Sequence, residues 1–256
     1  MDSGKLQRGV ILLATLNEKE SIRHVLGEVE QSVRALGQCG YGISVLIVDD
    51  SNDSEFETLV QSIFDSLGID GRVINGPSQG LGAAILFGMS ICLETQDVKF
   101  VVNLDADGQH NPGQIPELVR VHMSESNAIT IGSRWVNGGS APGLSIMRKI
   151  LSRGAALMLH LFGVPWRITD PTSGFKVYNR ESLELCTNTL GDYYGYGFQG
   201  ASVAFAESLG WKISETPVRF RQRFAGESKM NFHRIIESVV QLRSIKVRSA
   251  QLRRVV

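Results

Sequence analysis

Asp105 and Asp107 are separated by a single alanine and follow the run Lys99-Phe100-Val101-Val102-Asn103-Leu104. An apolar, β-branched run of this kind predicts a buried strand, which would deliver both carboxylates at its C-terminal end. Open α/β sheets bind ligands at the C-terminal ends of strands, so the pair is expected to face a crevice. Two carboxylates and the nearby amide of Gln109 make a hard-oxygen set suited to Mg²⁺ or Mn²⁺ carrying a phosphate-bearing ligand. The competing reading is a polar turn capping the next helix, punctuated by Asn111-Pro112.

The same arrangement recurs along the chain. Apolar segments at 9–14, 43–48, 72–74, 100–104 and 128–134 predict five strands, and their ends carry Glu18, Asp50, Asp105, Asp107 and Arg134. Segments at 21–36, 55–67 and 112–123 have helical periodicity, and Gln79-Gly80-Leu81-Gly82-Ala83-Ala84 opens another helix with small residues. Strands alternating with helices predict an α/β fold: a Rossmann-like, mostly parallel sheet with helices on both faces. Beyond Arg134 the expectations are a glycine-rich loop over 137–143 and a helix over 144–162 whose apolar stripe faces the core, the alternative being that part of it faces a hydrophobic ligand. A turn over 169–178 then leads into an edge strand, and an aromatic, glycine-rich turn over 193–198 precedes a helix to Leu209. The alternating segment 212–220 contains Pro217, which favours an edge position.

The bulk composition narrows the classes. The 256 residues suffice for one large α/β domain, and 26 basic residues balance 26 acidic ones, so no global charge points to nucleic acid. The balance fails locally, since the stretch from Arg243 onward holds five basic residues and no acidic one. Three scattered cysteines (Cys39, Cys92, Cys186) suggest reduced thiols in a cytosolic setting, with Cys92 in the core. No signal-peptide pattern and no apolar run of membrane-spanning length occurs, so the expected body is soluble and cytoplasmic. The first strand ends without Gly-x-Gly-x-x-Gly and no Walker lysine motif is present, which excludes the two commonest nucleotide-binding designs.

Taken in order, the motifs resemble those of family 2 glycosyltransferases of the GT-A fold, and within them the short dolichyl-phosphate (polyprenyl-phosphate) mannosyltransferases. They are Leu16-Asn17-Glu18, Val48-Asp49-Asp50, Gly80-Leu81-Gly82-x-Ala84, Asp105-Ala106-Asp107-x-Gln109-His110 and Gly132-Ser133-Arg134, then Arg148-Lys149-x-x-Ser152-Arg153-Gly154-Ala155, Asp170-Pro171-x-Ser173-Gly174-Phe175 and Arg223-x-x-Gly226-Glu227-Ser228-Lys229. The resemblance covers about residues 9–232. It implies that Asp105, Asp107 and Gln109 hold Mg²⁺ or Mn²⁺ on the donor diphosphate. Ala14, Leu16, Glu18, Val48, Asp50 and Ala106 would line the nucleoside pocket. Arg134, Arg223 and Lys229 would neutralise phosphates, and Arg148 and Ser173 would lie near the acceptor phosphate.

The implied reaction is inverting transfer of a hexose from a nucleotide sugar, GDP-mannose-like, to a polyprenyl phosphate. Such an acceptor is already anionic and needs no general base, whereas a hydroxyl acceptor would. For the hydroxyl alternative (a soluble metabolite or a modified nucleic-acid base) Asp170, Asp192 and Glu227 are the candidate bases; a non-catalytic nucleotide-sugar-binding subunit is a third reading. The chain departs from the family in three places. Ala14 and Leu16 stand where Pro and Tyr are usual, the loop after Asp50 is one residue shorter, and Ala201 replaces a common Glu. Residues 1–231 are expected to form the catalytic domain and 232–256 a basic amphipathic helix. Two readings of that helix stand: packing on the domain, or docking on the cytoplasmic face of a membrane or on a small membrane partner.

Overall fold

Continuous apolar runs form the sheet because their strands are covered on both faces. In the computed structural model, which describes residues 6–51, 53–193 and 197–224, these runs become β1 (Gln7–Thr15), β2 (Tyr41–Asp49), β3 (Gly71–Asn75), β4 (Val98–Asp105) and β5 (Ile129–Ser133). Between them run α1 (Lys19–Gln38), α2 (Ser54–Leu67), α3 (Leu81–Glu94) and α4 (Ile115–Ser124). The remainder is α5 (Ile146–Leu161), β6 (Lys176–Asn179), α6 (Arg180–Thr189), α7 (Gly197–Ser208) and β7 (Ile213–Pro217). Lys229 and the segment 232–256, with the boundary expected between 231 and 232, lie outside the described residues.

The sheet runs β3-β2-β1-β4-β6-β5-β7. Alternation along each strand divides the core into two layers. Ile11, Leu13, Val45, Ile47 and Phe100 pack against α1, α2 and α4, whereas Val10, Leu12, Leu46, Val48 and Val101 pack against α3, α6 and α7. Cys92 lies in the second layer as expected, and burial pushes its thiol up to about 12. Among the described residues, no helix is long and apolar enough to cross a membrane.

Two expectations fail. The strand after the 169–175 turn is not at an edge: β6 lies between β4 and β5 and is antiparallel to both. The strand carries a lysine, and Lys176 is nevertheless fully buried. The strand keeps its place because oxygens from distant residues satisfy that side chain. Pro217 does close an edge strand, in β7. The second failure is the stripe of α5, which was expected to face the core. Only Ala156 and Leu159 are buried, while Ile146, Met147, Ile150, Leu157 and Leu161 are exposed, Ile146 by 78%. Contact with α7 is confined to one line, where Leu159 occupies the space a Cβ on Gly200 would need, 2.6 Å away.

Candidate active site

The C-terminal ends of β1, β2 and β4 open on one cavity of about 680 Å³. At the β1–β2 end, the adjacent acids Asp49 and Asp50 divide their roles. Asp49 is buried and accepts hydrogen bonds from Thr15 Oγ1 (2.8 Å) and Ser51 Oγ (2.6 Å), so it ties the two strand ends together. Asp50 faces the cavity and accepts from the Ser78 amide at 2.9 Å; burial raises its pKa. Gly76 is required here, because a Cβ would sit 2.1 Å from Asp50 Oδ1. Gly80 enters α3 at φ +100, a backbone geometry that favours glycine. Glu18, at the start of α1, completes this end.

The acid pair sits on a turn built by its own neighbours. The Gln109 amide donates to Asp107 Oδ1 at 2.9 Å, and the Asp105 amide donates to His110 Nδ1 at 3.0 Å. His110 therefore accepts through Nδ1. Burial holds its pKa down at about 4, so the ring is neutral. Gly108 turns the chain at φ +78, and a side chain there would collide with Phe224. The Asp105 carboxylate is 34% exposed, into the cavity, and burial raises its pKa to about 6. Asp107 is raised as well, by burial and then by Asp105, although Arg223 contacts it at 2.7 Å. Two carboxylates set side by side at the cavity, with the Gln109 amide close by, are an oxygen set that suits a divalent cation. Among the described residues no group of three or more His, Cys, Asp or Glu side chains could hold a metal by itself. Two carboxylates with Gln109 leave the remaining positions to water and ligand phosphate, as Mg²⁺ and Mn²⁺ sites of this type require.

The opposite wall comes from β5, β6 and α5. Because β6 is reversed, its N-terminal approach, rather than its C-terminus, lies beside the end of β4. That places the 170–174 loop at the cavity. Asp170 accepts from Arg134 Nε and Nη2 in a bidentate pair, at 2.7 Å each, and its own amide and that of Thr169 are held by Glu215. Arg134 is thereby fixed in the wall, and Asp170 is neutralised rather than available as a base. Arg148 and Ser152 line the cavity from the first turns of α5, and Arg153 stacks on Trp135, 4.8 Å from the ring centroid.

The structure thus brings Ala14, Leu16, Glu18 and Asp50 together with Asp105, Ala106, Asp107 and Gln109, and with Arg134, Arg148 and Arg223. Two predicted residues do not join them. The Val48 side chain is turned by strand alternation into the core beneath α3. Ser173 is buried, donates to the Gly132 carbonyl at 2.7 Å and accepts from the Phe175 amide, so its hydroxyl shapes the loop instead of meeting an acceptor. Sequence reasoning missed Gln199 and Thr172, whereas Ile150, Leu151 and Met158, from the stripe that could meet a hydrophobic ligand, form an apolar wall of the cavity. His110 had a signal, its place in the Asp105–His110 motif; Gln199 had none beyond following two small or aromatic residues.

A mixed sheet of this order with an acid pair ending its central strand defines the GT-A class of glycosyltransferase fold. Solved structures agree on the fold. A mannosyltransferase from Pyrobaculum calidifontis in complex with GDP-Man and Mn²⁺ superposes with a TM-score of 0.62 at 14% identity, over 94% of this chain and 64% of that one. Mannosyl-3-phosphoglycerate synthase from Rubrobacter xylanophilus gives 0.59 at 15% identity, over 96% and 75%. The model of the glycosyl transferase family 2 matches residues 10–186. Two curated relatives are 30% identical to the chain. One is an undecaprenyl-phosphate mannosyltransferase of Micrococcus luteus, covering 92% of both chains. The other is a polyprenol monophosphomannose synthase of Mycolicibacterium smegmatis, covering 92% of this chain and 86% of the relative. The chain belongs to glycosyl transferase family 2 and is a hexosyltransferase.

Proposed function

We propose that the chain transfers a hexose, mannose-like, from a GDP-mannose-like nucleotide sugar to a polyprenyl phosphate, with inversion. The observation that carries this reading is the continuity of the cavity, from the acids at β1, β2 and β4 to the basic first turns and the exposed apolar face of α5. A soluble acceptor would leave that apolar face without a use; a polyprenyl chain supplies one. The relatives named above, polyprenyl-phosphate mannosyltransferases, support the same acceptor class.

In this reading Glu18 and Asp50 bind the nucleoside. Asp105, Asp107 and Gln109 would hold Mg²⁺ or Mn²⁺, which would supply charge stabilisation to the departing diphosphate. Arg223, now paired to Asp107, moves its charge to the diphosphate once that carboxylate is engaged. Arg134 is pre-oriented by Asp170, so its field is already aimed where negative charge gathers. Arg148 orients the acceptor phosphate, which attacks as an anion, and no proton need be removed. Lys229 adds a further cation to the phosphates. Residues 1–231 form the catalytic unit, and the basic side chains of the sequence 232–256, with the apolar face of α5, draw the protein to the cytoplasmic face of a membrane.

The test is transfer from radiolabelled nucleotide sugars in the presence of Mg²⁺ or Mn²⁺ and polyprenyl phosphate in vesicles. Label entering the lipid phase is the expected result. Label appearing only in water-soluble products, across all donors, would overturn the acceptor assignment.

A further inference from the structure

Lys176 and Gln199 meet beneath the cavity floor, where β6 runs beside β4. Lys176 Nζ donates to three oxygens: the Gln199 carbonyl (2.7 Å), Gln199 Oε1 (2.8 Å) and the Pro171 carbonyl (3.3 Å). These contacts use all three of its donors, so the lysine has nothing left to offer a ligand. They also decide which way the Gln199 amide points. Its oxygen must face Nζ, because the reverse orientation would oppose donor to donor.

The consequence lies on the other amide atom. Gln199 is 97% buried, and among the described residues Nε2 has no hydrogen-bond partner. Leaving a buried donor unmet costs about 1–3 kcal/mol, so native structures rarely keep one without a partner that arrives later. Gln199 lines the cavity, next to Gly197 and Gly200, which bring no side chains of their own. In the sheet order, β6 lies on the far side of β4 from β1 and β2, so Gln199 sits across the acid pair from Glu18 and Asp50. With the nucleoside at the β1–β2 end and the diphosphate at Asp105 and Asp107, the group at Gln199 is the hexose. We propose that Gln199 Nε2 donates a hydrogen bond to a hydroxyl of the transferred hexose, and that Lys176 is the positioning residue that turns the amide toward it. This rests on the donor reading given above.

The rival partner for Nε2 is an internal water, and calorimetry on the full chain with Mn²⁺ separates the two. GDP-mannose and GDP are the probes. Gln199→Met should weaken GDP-mannose binding about tenfold and leave GDP binding unchanged. Gln199→Glu still accepts from Lys176 but lacks the donor, and Lys176→Met releases the amide; both should lose the same sugar increment. Among GDP-mannose analogues each lacking one hydroxyl, one should bind the unaltered protein and Gln199→Met equally. Equal losses for GDP and GDP-mannose, or no loss for either, would overturn the inference and leave the functional reading intact. An unaltered protein that binds neither probe would overturn the donor reading and the inference with it.

Discussion

Helices α3 and α5 are both rich in apolar residues, and the fold treats them in opposite ways. In α3 the apolar character runs all round, and Ala83, Ala84, Ile85, Leu86, Met89 and Cys92 are buried among the sheet, α6 and α7. Its glycines permit that intimacy: a Cβ on Gly88 would lie 2.4 Å from Leu12. In α5, by contrast, apolar residues project outward at the cavity mouth, only Ala156 and Leu159 are buried, and Met158 is partly covered. An apolar residue count says how much surface seeks cover, not what will cover it. The acid-lined end of the cavity is thus built from the folded interior, and the α5 end from a surface that the fold leaves open.

Lesions at the two ends should therefore separate. The largest effect belongs to Asp107→Ala, which should abolish the gain in nucleotide affinity that Mn²⁺ provides, on the order of 100-fold, while the thermal transition persists. Calorimetry that gave the same affinity with and without Mn²⁺ for both proteins would remove the acid pair from the donor site. Next come two methionines. Met89→Ala in α3 should cost about 2–5 kcal/mol in denaturant unfolding, whereas Met147→Ala in α5 should stay within about 0.5 kcal/mol. Equal costs would mean that α5 is covered in solution by something within the chain.

The buried interior should also show itself in acid. His122 on α4 is buried against Thr130, and burial lowers its pKa from 6.5 to about 4. Between those values the unfolded chain binds a proton that the folded one refuses, so stability falls as pH drops from about 6.5 to 4. The term reaches about 3 kcal/mol, and His110 adds to it in the same window. Unfolding titrations of His122→Asn should show a shallower pH slope; an unchanged slope would place the acid sensitivity elsewhere. The smallest effect is at the exposed face. Ile150→Glu with Leu157→Glu should reduce transfer to polyprenyl phosphate in vesicles about tenfold, with nucleotide affinity unchanged. A parallel fall in nucleotide affinity would break the proposed division between the ends.

Most of the donor half was legible in the sequence because strands covered on both faces must be apolar throughout, and their polar ends then stand out. The acid pair of β4 is the clearest case. Finer assignments depended on direction, which spacing alone does not encode: Asp49 turns to Thr15 and Ser51 while Asp50 turns to the cavity, and Val48 follows its strand's alternation into the core. β6 was misjudged because the groups that make a central lysine tolerable, Pro171 and Gln199, come from outside the strand. The orientation of α5 was misjudged because an amphipathic pattern is the same whether the fold or another phase receives its apolar side.

The reversed strand β6 also sets an order of assembly. It pairs with both β4 and β5, and the chain must pass through α5 and the 170–174 loop before those pairs can form. Contacts across such spans form after local ones, since the loop must close before any hydrogen bond rewards it. Residues of β1 to β4 are synthesised before Arg134 and Asp170, so the clamp between those two side chains forms later than the strand ends it faces can be made. The cavity wall carried by β1, β2 and β4 therefore precedes in synthesis the wall carried by β5, β6 and the 170–174 loop.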